Sequence, residues 1–466
     1  MNSPSYSAMD TTSAPSAVAA TQDHTSSWRT AILGLQHVIV MYTGCVAVPL
    51  VFGAAVGLDT HAIGLLVNAD LVVAGIITLV QGLGISTILG VRLPVIAGAS
   101  FTAVAPMILI GSQYGLPAVW GSMLVAGAFG VLAAVPFSRL SRFFPPSVRG
   151  SAVTIIGLSL IGNAAGMVTG KADQASSADL ALAGGVILGI VLLMRFGHGL
   201  LSQAAVLIAL VVGTLVTVIT GRADFSAVGG VGWFGLPHPF AFGAPTFPFA
   251  AVISMCIVML VIFTESTSYM MSVGEMVGRP VSHADVARGL AADGVSGILG
   301  GALTAFPDTI FAQNVSLVRM TGVRSRAVVG VAGVMLLVMG LVPKLGETIA
   351  SVSPTVIGAV SLVMFALVAG VGIGILATAR LEENSNLLVV SLALGLGMVP
   401  VVLPKLYQGF PTEVQIIAGG AITSTVIVAF VLNLLFHHLP GSRRLHSARP
   451  VPTSNPTPAP QIGDLS

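Results

Sequence analysis

The chain is 466 residues long, 55% hydrophobic and only 8% charged, with a formal net charge of +2. Soluble domains carry about a quarter charged residues, and a mean hydropathy of +0.97 leaves too few charges to cover a water-facing surface. With 55 glycines and 6% aromatics, a pattern suited to helices packed closely in lipid, this excludes a soluble enzyme, a nucleic-acid binder and a disordered scaffold, and predicts an all-α polytopic membrane protein.

In chain order, residues 1–28 are rich in Ser, Thr and Ala and hold no Lys or Arg. The charged start of a cleavable signal is therefore missing, and the stretch reads as a disordered N-tail. Residues 30–436 are nearly continuous apolar sequence, and a span needs roughly 20 residues. Punctuation places spans near 30–56, 62–84, 94–112, 117–137, 148–168, 180–195, 200–220, 247–272, 290–305, 307–318, 326–343, 353–378, 386–403 and 413–436. The Pro-rich stretch 437–466 likewise reads as a disordered C-tail. Cys45 and Cys256 lie inside apolar runs and read as packed small residues, neither a metal nor a disulfide pattern.

Cation placement tests this count of fourteen. With the N-terminus inside, fifteen Lys and Arg fall on the inner side and only Lys171, Arg222, Lys344 and Lys405 on the outer. The asymmetry predicts that both termini are cytoplasmic. Two segments are wrong for plain helices: the third, with Gly98, Ala99, Ser100 and then Pro106, and the tenth, with Phe306, Pro307 and Asp308. Each is third in its half of a seven-plus-seven division, which predicts inverted repeats with a transporter's binding site at the two breaks.

Ionisable residues within spans need a reason. Glu265 stands in the otherwise uncharged run 258–271 and is the leading candidate for a substrate or proton role; Tyr269, four residues on, shares its helix face. Gln313 and Asn314 offer amide donors and acceptors side by side, suited to a nucleobase edge. Backbone freed near Phe101 and Ala312 extends the polar surface. Gln36 and His37 in the first span serve either function or packing. Asp70 and Asp293 are read as structural hydrogen-bond partners, and Asp308 as a solvated residue at the outer end of the break. Neither a phosphate-loop motif nor a metal-ligand pattern is present, so no cofactor and no metal are expected and the chain is not read as an enzyme.

The run Gln313-Asn314-Val315-Ser316-Leu317-Val318-Arg319-Met320-Thr321-Gly322 resembles the signature of the nucleobase–ascorbate transporters, also called nucleobase–cation symporters. Gln36-His37, Gly98-Ala99-Ser100-Phe101, Glu265-Ser266-Thr267 and Ala292-Asp293-Gly294 agree with it in order. The resemblance implies fourteen spans in two inverted repeats, a core domain (29–137 and 247–344), a gate domain (138–246 and 345–436), homodimers and an elevator-like shift of core against gate. It implies that Glu265 takes the base's N–H groups and that Gln313 grips its amide edge. Ser100, Phe101, Ala312, Asn314, Ser316 and Tyr269 complete the pocket, while Glu265, Asp293 and His37 carry the coupling proton. Gln rather than Glu at 313 is similar to the xanthine and urate branch. Three departures stand out: Ser316 replaces the usual Gly, Tyr269 stands where many members have Asp or His, and Asp308 stands where a neutral residue is common.

The expectation is a proton-coupled importer of purine bases, xanthine or urate, in a bacterial-type inner membrane, with membrane lipid around it and no nucleic-acid partner. The alternatives are sodium coupling, a uracil or broad nucleobase carrier, and a sulfate-type anion exchanger of similar fold. Against the exchanger, no basic residue falls in the predicted site.

Overall fold

A computed structural model describes residues 27–140, 143–169 and 174–438. The expected tails lie outside the described residues except at their inner ends, where Ser27 and His437 already belong to helices. Arg142, Lys171, Arg443, Arg444 and Arg449 also lie outside them.

The described chain opens with α1 (Ser27–Ala55) and α2 (Thr60–Leu83). A three-residue strand, β1 (Ala97–Ala99), then runs into α3 (Phe101–Tyr114). Next come α4 (Leu116–Leu140), α5 (Pro146–Thr169) and α6 (Ser177–Phe196). A single turn, α7 (Leu200–Gln203), breaks before α8 (Ala205–Ile219). After a long loop, α9 (Phe249–Met276) and α10 (His283–Leu303) lead to a second strand, β2 (Asp308–Ile310), and α11 (Ala312–Thr321). The remainder is α12 (Arg326–Gly340), α13 (Pro343–Ala350), α14 (Pro354–Leu376), α15 (Asn384–Val402), α16 (Thr412–Ile417) and α17 (Ala421–His437).

Each predicted segment overlaps one of these helices; the seventh falls on α7 with α8, and the last on α16 with α17. Among the described residues, eight helices are long and apolar enough to cross a membrane, or nine if α12 and α13, bent by 77°, count as one span. α3, α8 and α17 are shorter apolar helices. The chain is a multi-pass integral membrane protein.

Close helix pairs meet at glycines. A Cβ on Gly127 of α4 would stand 2.4 Å from the backbone N of Ile298 in α10, and one on Gly340 of α12 would stand 2.6 Å from that of Val72 in α2. The α5–α14 crossing is equally tight: a Cβ on Gly157 would meet the Phe365 carbonyl at 2.3 Å, and one on Gly372 the Thr154 N at 2.3 Å. In lipid, where burial of apolar side chains gives helices little reason to associate, such backbone approach supplies the dispersion contact that holds them.

The all-α expectation is corrected at one place. β1 and β2 pair antiparallel, with Ala97 opposite Ile310, Gly98 opposite Thr309 and Ala99 opposite Asp308. Two bonds extend the ladder, Phe311 N–H to the Ile96 carbonyl (2.9 Å) and Ser100 N–H to the Pro307 carbonyl (2.9 Å). Open strand edges inside a membrane would strand polar groups, and hydroxyls of three helices cover them. Thr78 of α2 accepts from Ala97 N–H (3.0 Å), Ser296 of α10 from Asp308 N–H (2.8 Å) and Ser266 of α9 from Ile310 N–H (3.4 Å). A Cβ on Gly98, at the centre of the ladder, would lie 2.8 Å from Met41 Cε and 3.3 Å from the Phe311 ring, so a larger residue there would have to displace the Met41 methyl.

Candidate functional site

The ladder brings the N-termini of α3 and α11 to one place. The first N–H groups of a helix lack intrahelical partners, and the helix dipole is positive there. Ser100 caps α3, its hydroxyl accepting from Thr102 N–H (3.3 Å). Phe311 precedes α11 without a side-chain cap, so the backbone at Ala312 and Gln313 is free to meet a ligand. The two N-termini border a cavity of about 220 Å³.

One wall is polar. Glu265 of α9 accepts from Thr102 Oγ1 (3.0 Å), and Tyr269 lies one helical turn further along the same face. Gln313 and Ser316 of α11, with Ala312, form the adjacent side. Phe101 stands at the α3 terminus, its ring edge-on to Phe365 of α14 at 5.7 Å between centroids. The opposite wall is apolar: Val153 and Ile156 of α5, with Leu367, Val368 and Val371 of α14. A carboxyl, a carboxamide and unpaired N–H groups facing an apolar slot suit a small planar ligand with alternating donors and acceptors. A larger cavity of about 900 Å³ between α6 and α8, flanked by Gly185, Gly189 and Val212, offers no such convergence of polar groups.

Of the residues singled out from sequence, Ser100, Phe101, Glu265, Tyr269, Ala312, Gln313 and Ser316 border this cavity together. Asn314, His37 and Asp293 do not. Asn314 turns to α1, its Nδ2 donating to the His37 carbonyl (3.0 Å) and lying 3.0 Å from His37 Nδ1. Asp293 is fully buried behind the ladder and accepts from Gln81 Nε2 (2.9 Å). Asp70 accepts from Cys45 Sγ (2.7 Å), a structural hydrogen bond of the kind expected, and Cys45 is thereby more than a space-filling residue. Gln36 is half-buried on α1.

Asp308 is a correction. It is 0% exposed, not solvated. Strand geometry turns alternate side chains to opposite faces, and the carboxyl lies in electrostatic reach of Asp70 and Asp293. No hydrogen-bond donor meets either of its oxygens among the described residues.

Sequence reasoning missed Thr102, whose hydroxyl beside the first break was a visible clue, and the α5 and α14 wall, whose valines and leucines carry no distinguishing signal. It also missed Arg149 of α5, counted only as an inner-side charge. Its Nη1 donates to Ser268 Oγ on α9 (2.7 Å), next to Tyr269.

A family model described as "Permease family" matches residues 29–406. The xanthine permease of Bacillus subtilis is 38% identical over 413 residues, spanning 88% of this chain and 94% of its own length. The uric acid permease PucJ of Bacillus subtilis is 38% identical over 418 residues, 88% of this chain and 93% of its own. Among solved structures, the transmembrane domain of the cyanobacterial bicarbonate transporter BicA aligns with a TM-score of 0.55 at 14% identity, covering 88% of this chain and 97% of that one. At that identity the likeness is one of fold.

Proposed function

The chain belongs to this permease family, the nucleobase–ascorbate transporters, and from that premise we propose that it imports purine nucleobases, xanthine or urate, in symport with protons. A permease moves its substrate unchanged, so the chain is a transporter and not an enzyme. The observation that carries the reading is the meeting of Glu265, Gln313 and two helix N-termini at one small cavity. Glu265 accepts the base's N–H groups, and Gln313 forms a bidentate pair with an amide edge. The N–H groups at Phe101 and Ala312 take ring carbonyls, with the Phe101 ring against the base, while Ser100, Ser316 and Tyr269 shape the rim. Asn314 and His37 act one step back by holding α11 against α1.

Proton coupling belongs to Glu265 in this reading, with Asp293 and His37 supporting it. A carboxyl that both holds the base and carries the coupling proton links the two gradients reciprocally. The chain divides into a core of α1–α4 and α9–α12, near 29–137 and 247–344, and a gate of the rest, near 138–246 and 345–436. Tight packing of α4 on α10 and of α2 on α12, against that of α5 on α14, supports this division. Fourteen crossings in two inverted repeats, both termini in the cytoplasm of a bacterial-type inner membrane, homodimers and an elevator movement complete the proposal. The site's polar wall lies on core helices and its apolar wall on gate helices, as a core that slides with its substrate requires.

The test is uptake of radiolabelled xanthine into cells expressing the chain, with urate, hypoxanthine, uracil and sulfate as unlabelled competitors, with and without a protonophore. Protonophore-sensitive uptake inhibited by urate and not by uracil supports the reading. Uptake blocked by uracil replaces it with a broad nucleobase carrier, and transport of sulfate alone replaces it with an anion exchanger.

A further inference from the structure

Arg149 occupies an unusual position. With Val153 and Ile156 it follows a spacing of four and three residues along α5, which puts all three on one helix face. The latter two border the cavity. Across the gap, Arg149 Nη1 donates to Ser268 Oγ (2.7 Å), and the hydroxyl spends its own proton on the Thr264 carbonyl (2.9 Å). Ser268 is flanked on α9 by the cavity residues Glu265 and Tyr269. Arg149 and Ser268 do not themselves border the cavity; the guanidinium stands beside it, one helical turn before Val153 and bonded to the residue that precedes Tyr269.

Its charge meets no counter-charge among the described residues. A guanidinium has five N–H donors and is always cationic. Here no carboxylate pairs with it among the described residues, and its Nε is buried without a partner. A half-buried cation bonded, among the described residues, only to a neutral hydroxyl is one that an anion in the adjoining cavity would complete, by a charge-assisted hydrogen bond. Purine bases differ in this respect: urate is a monoanion at neutral pH, and hypoxanthine is neutral.

We infer that Arg149 is a specificity-determining residue that favours anionic oxopurines over neutral ones at this site. The inference rests on the transport reading above. A purely mechanical role, a strut between α5 and α9, would affect both kinds of base alike.

The experiment measures inhibition of labelled xanthine uptake by unlabelled urate and by unlabelled hypoxanthine, at fixed pH, in the full chain and in Arg149→Gln and Arg149→Lys. The ratio of the two half-inhibitory concentrations does not depend on how much protein reaches the membrane. In Arg149→Gln the ratio should move roughly tenfold against urate, the scale of one charge-assisted hydrogen bond, with the hypoxanthine value nearly constant. Arg149→Lys keeps the charge and should hold the ratio within about threefold. If Arg149→Gln fails to insert, Arg149→Met is measured in its place. An unchanged ratio, or equal loss for both bases, overturns the role of Arg149 while leaving the transport reading intact. A wild-type chain that takes up no xanthine and no other base overturns the transport reading, and this inference falls with it.

Discussion

Glu265 bears two duties that a single carboxyl can combine, because it lies at the cavity and is held by one donor, Thr102 Oγ1 at 3.0 Å. Glu265→Gln keeps the shape and the acceptor oxygen but removes the proton site, so uphill accumulation should fall to the level of cells without the transporter. Concentrative uptake at the wild-type level would remove Glu265 from the coupling. Gln313→Glu replaces a donor with an acceptor at the amide edge, and a binding group left unpaired discriminates strongly. Purine competition should weaken roughly tenfold or more, with uracil gaining or transport stopping; an unchanged competition profile would make Gln313 structural. Ser316 is exposed, and its hydroxyl reaches the Ala312 carbonyl only at 3.5 Å. Ser316→Gly should therefore shift xanthine affinity by no more than about fivefold, one modest hydrogen bond; loss of all uptake would show a larger role. Glu265 and Gln313 were legible from sequence because polar groups in apolar runs are costly. Arg149 was not, because its position at the start of α5 looks the same as that of any interfacial cation.

At the scale of elements, the breaks were visible and their meeting was not. Gly98, Pro106 and Pro307 announce that the third and tenth segments cannot be plain helices. Three residues per strand are too few for a period-two pattern, and nothing in either segment names the other as its partner. The ladder depends on hydroxyls lent by neighbouring helices, and Ser296 is the clearest case because it accepts from Asp308 N–H at 2.8 Å. Ser296→Ala leaves that buried N–H without a partner, at about 1–3 kcal/mol. The purified variant should unfold a few degrees lower in detergent. A midpoint equal to that of the wild type would mean another acceptor takes over. The Asp308 misreading belongs here too: which face of a strand points inward is decided by the helices packed behind it.

For the whole molecule, the elevator proposal requires α9 to slide past α17. Ser254 Oγ and Thr423 Oγ1 lie 3.2 Å apart across that contact, close enough for a disulfide between cysteines placed there. Ser254→Cys with Thr423→Cys, in a background lacking Cys256, should lose uptake on oxidation and regain it on reduction, while each single variant transports. Full transport by the cross-linked protein would refute movement at this contact.

Composition by itself determined that the chain lives in lipid, because 8% charged residues cannot clothe a soluble surface. Apolar run length located the helices, and the ordered polar motifs identified the family, since each is a local property of consecutive residues. Tertiary structure alone decided which of the polar residues share a cavity. Asn314 is next to Gln313 in the chain, yet a helix sends neighbours in directions about 100° apart, so one faces the ligand space and the other faces α1. It also decided that two breaks more than two hundred residues apart form one ladder, because strand pairing joins backbone groups that carry no record of their partner in sequence.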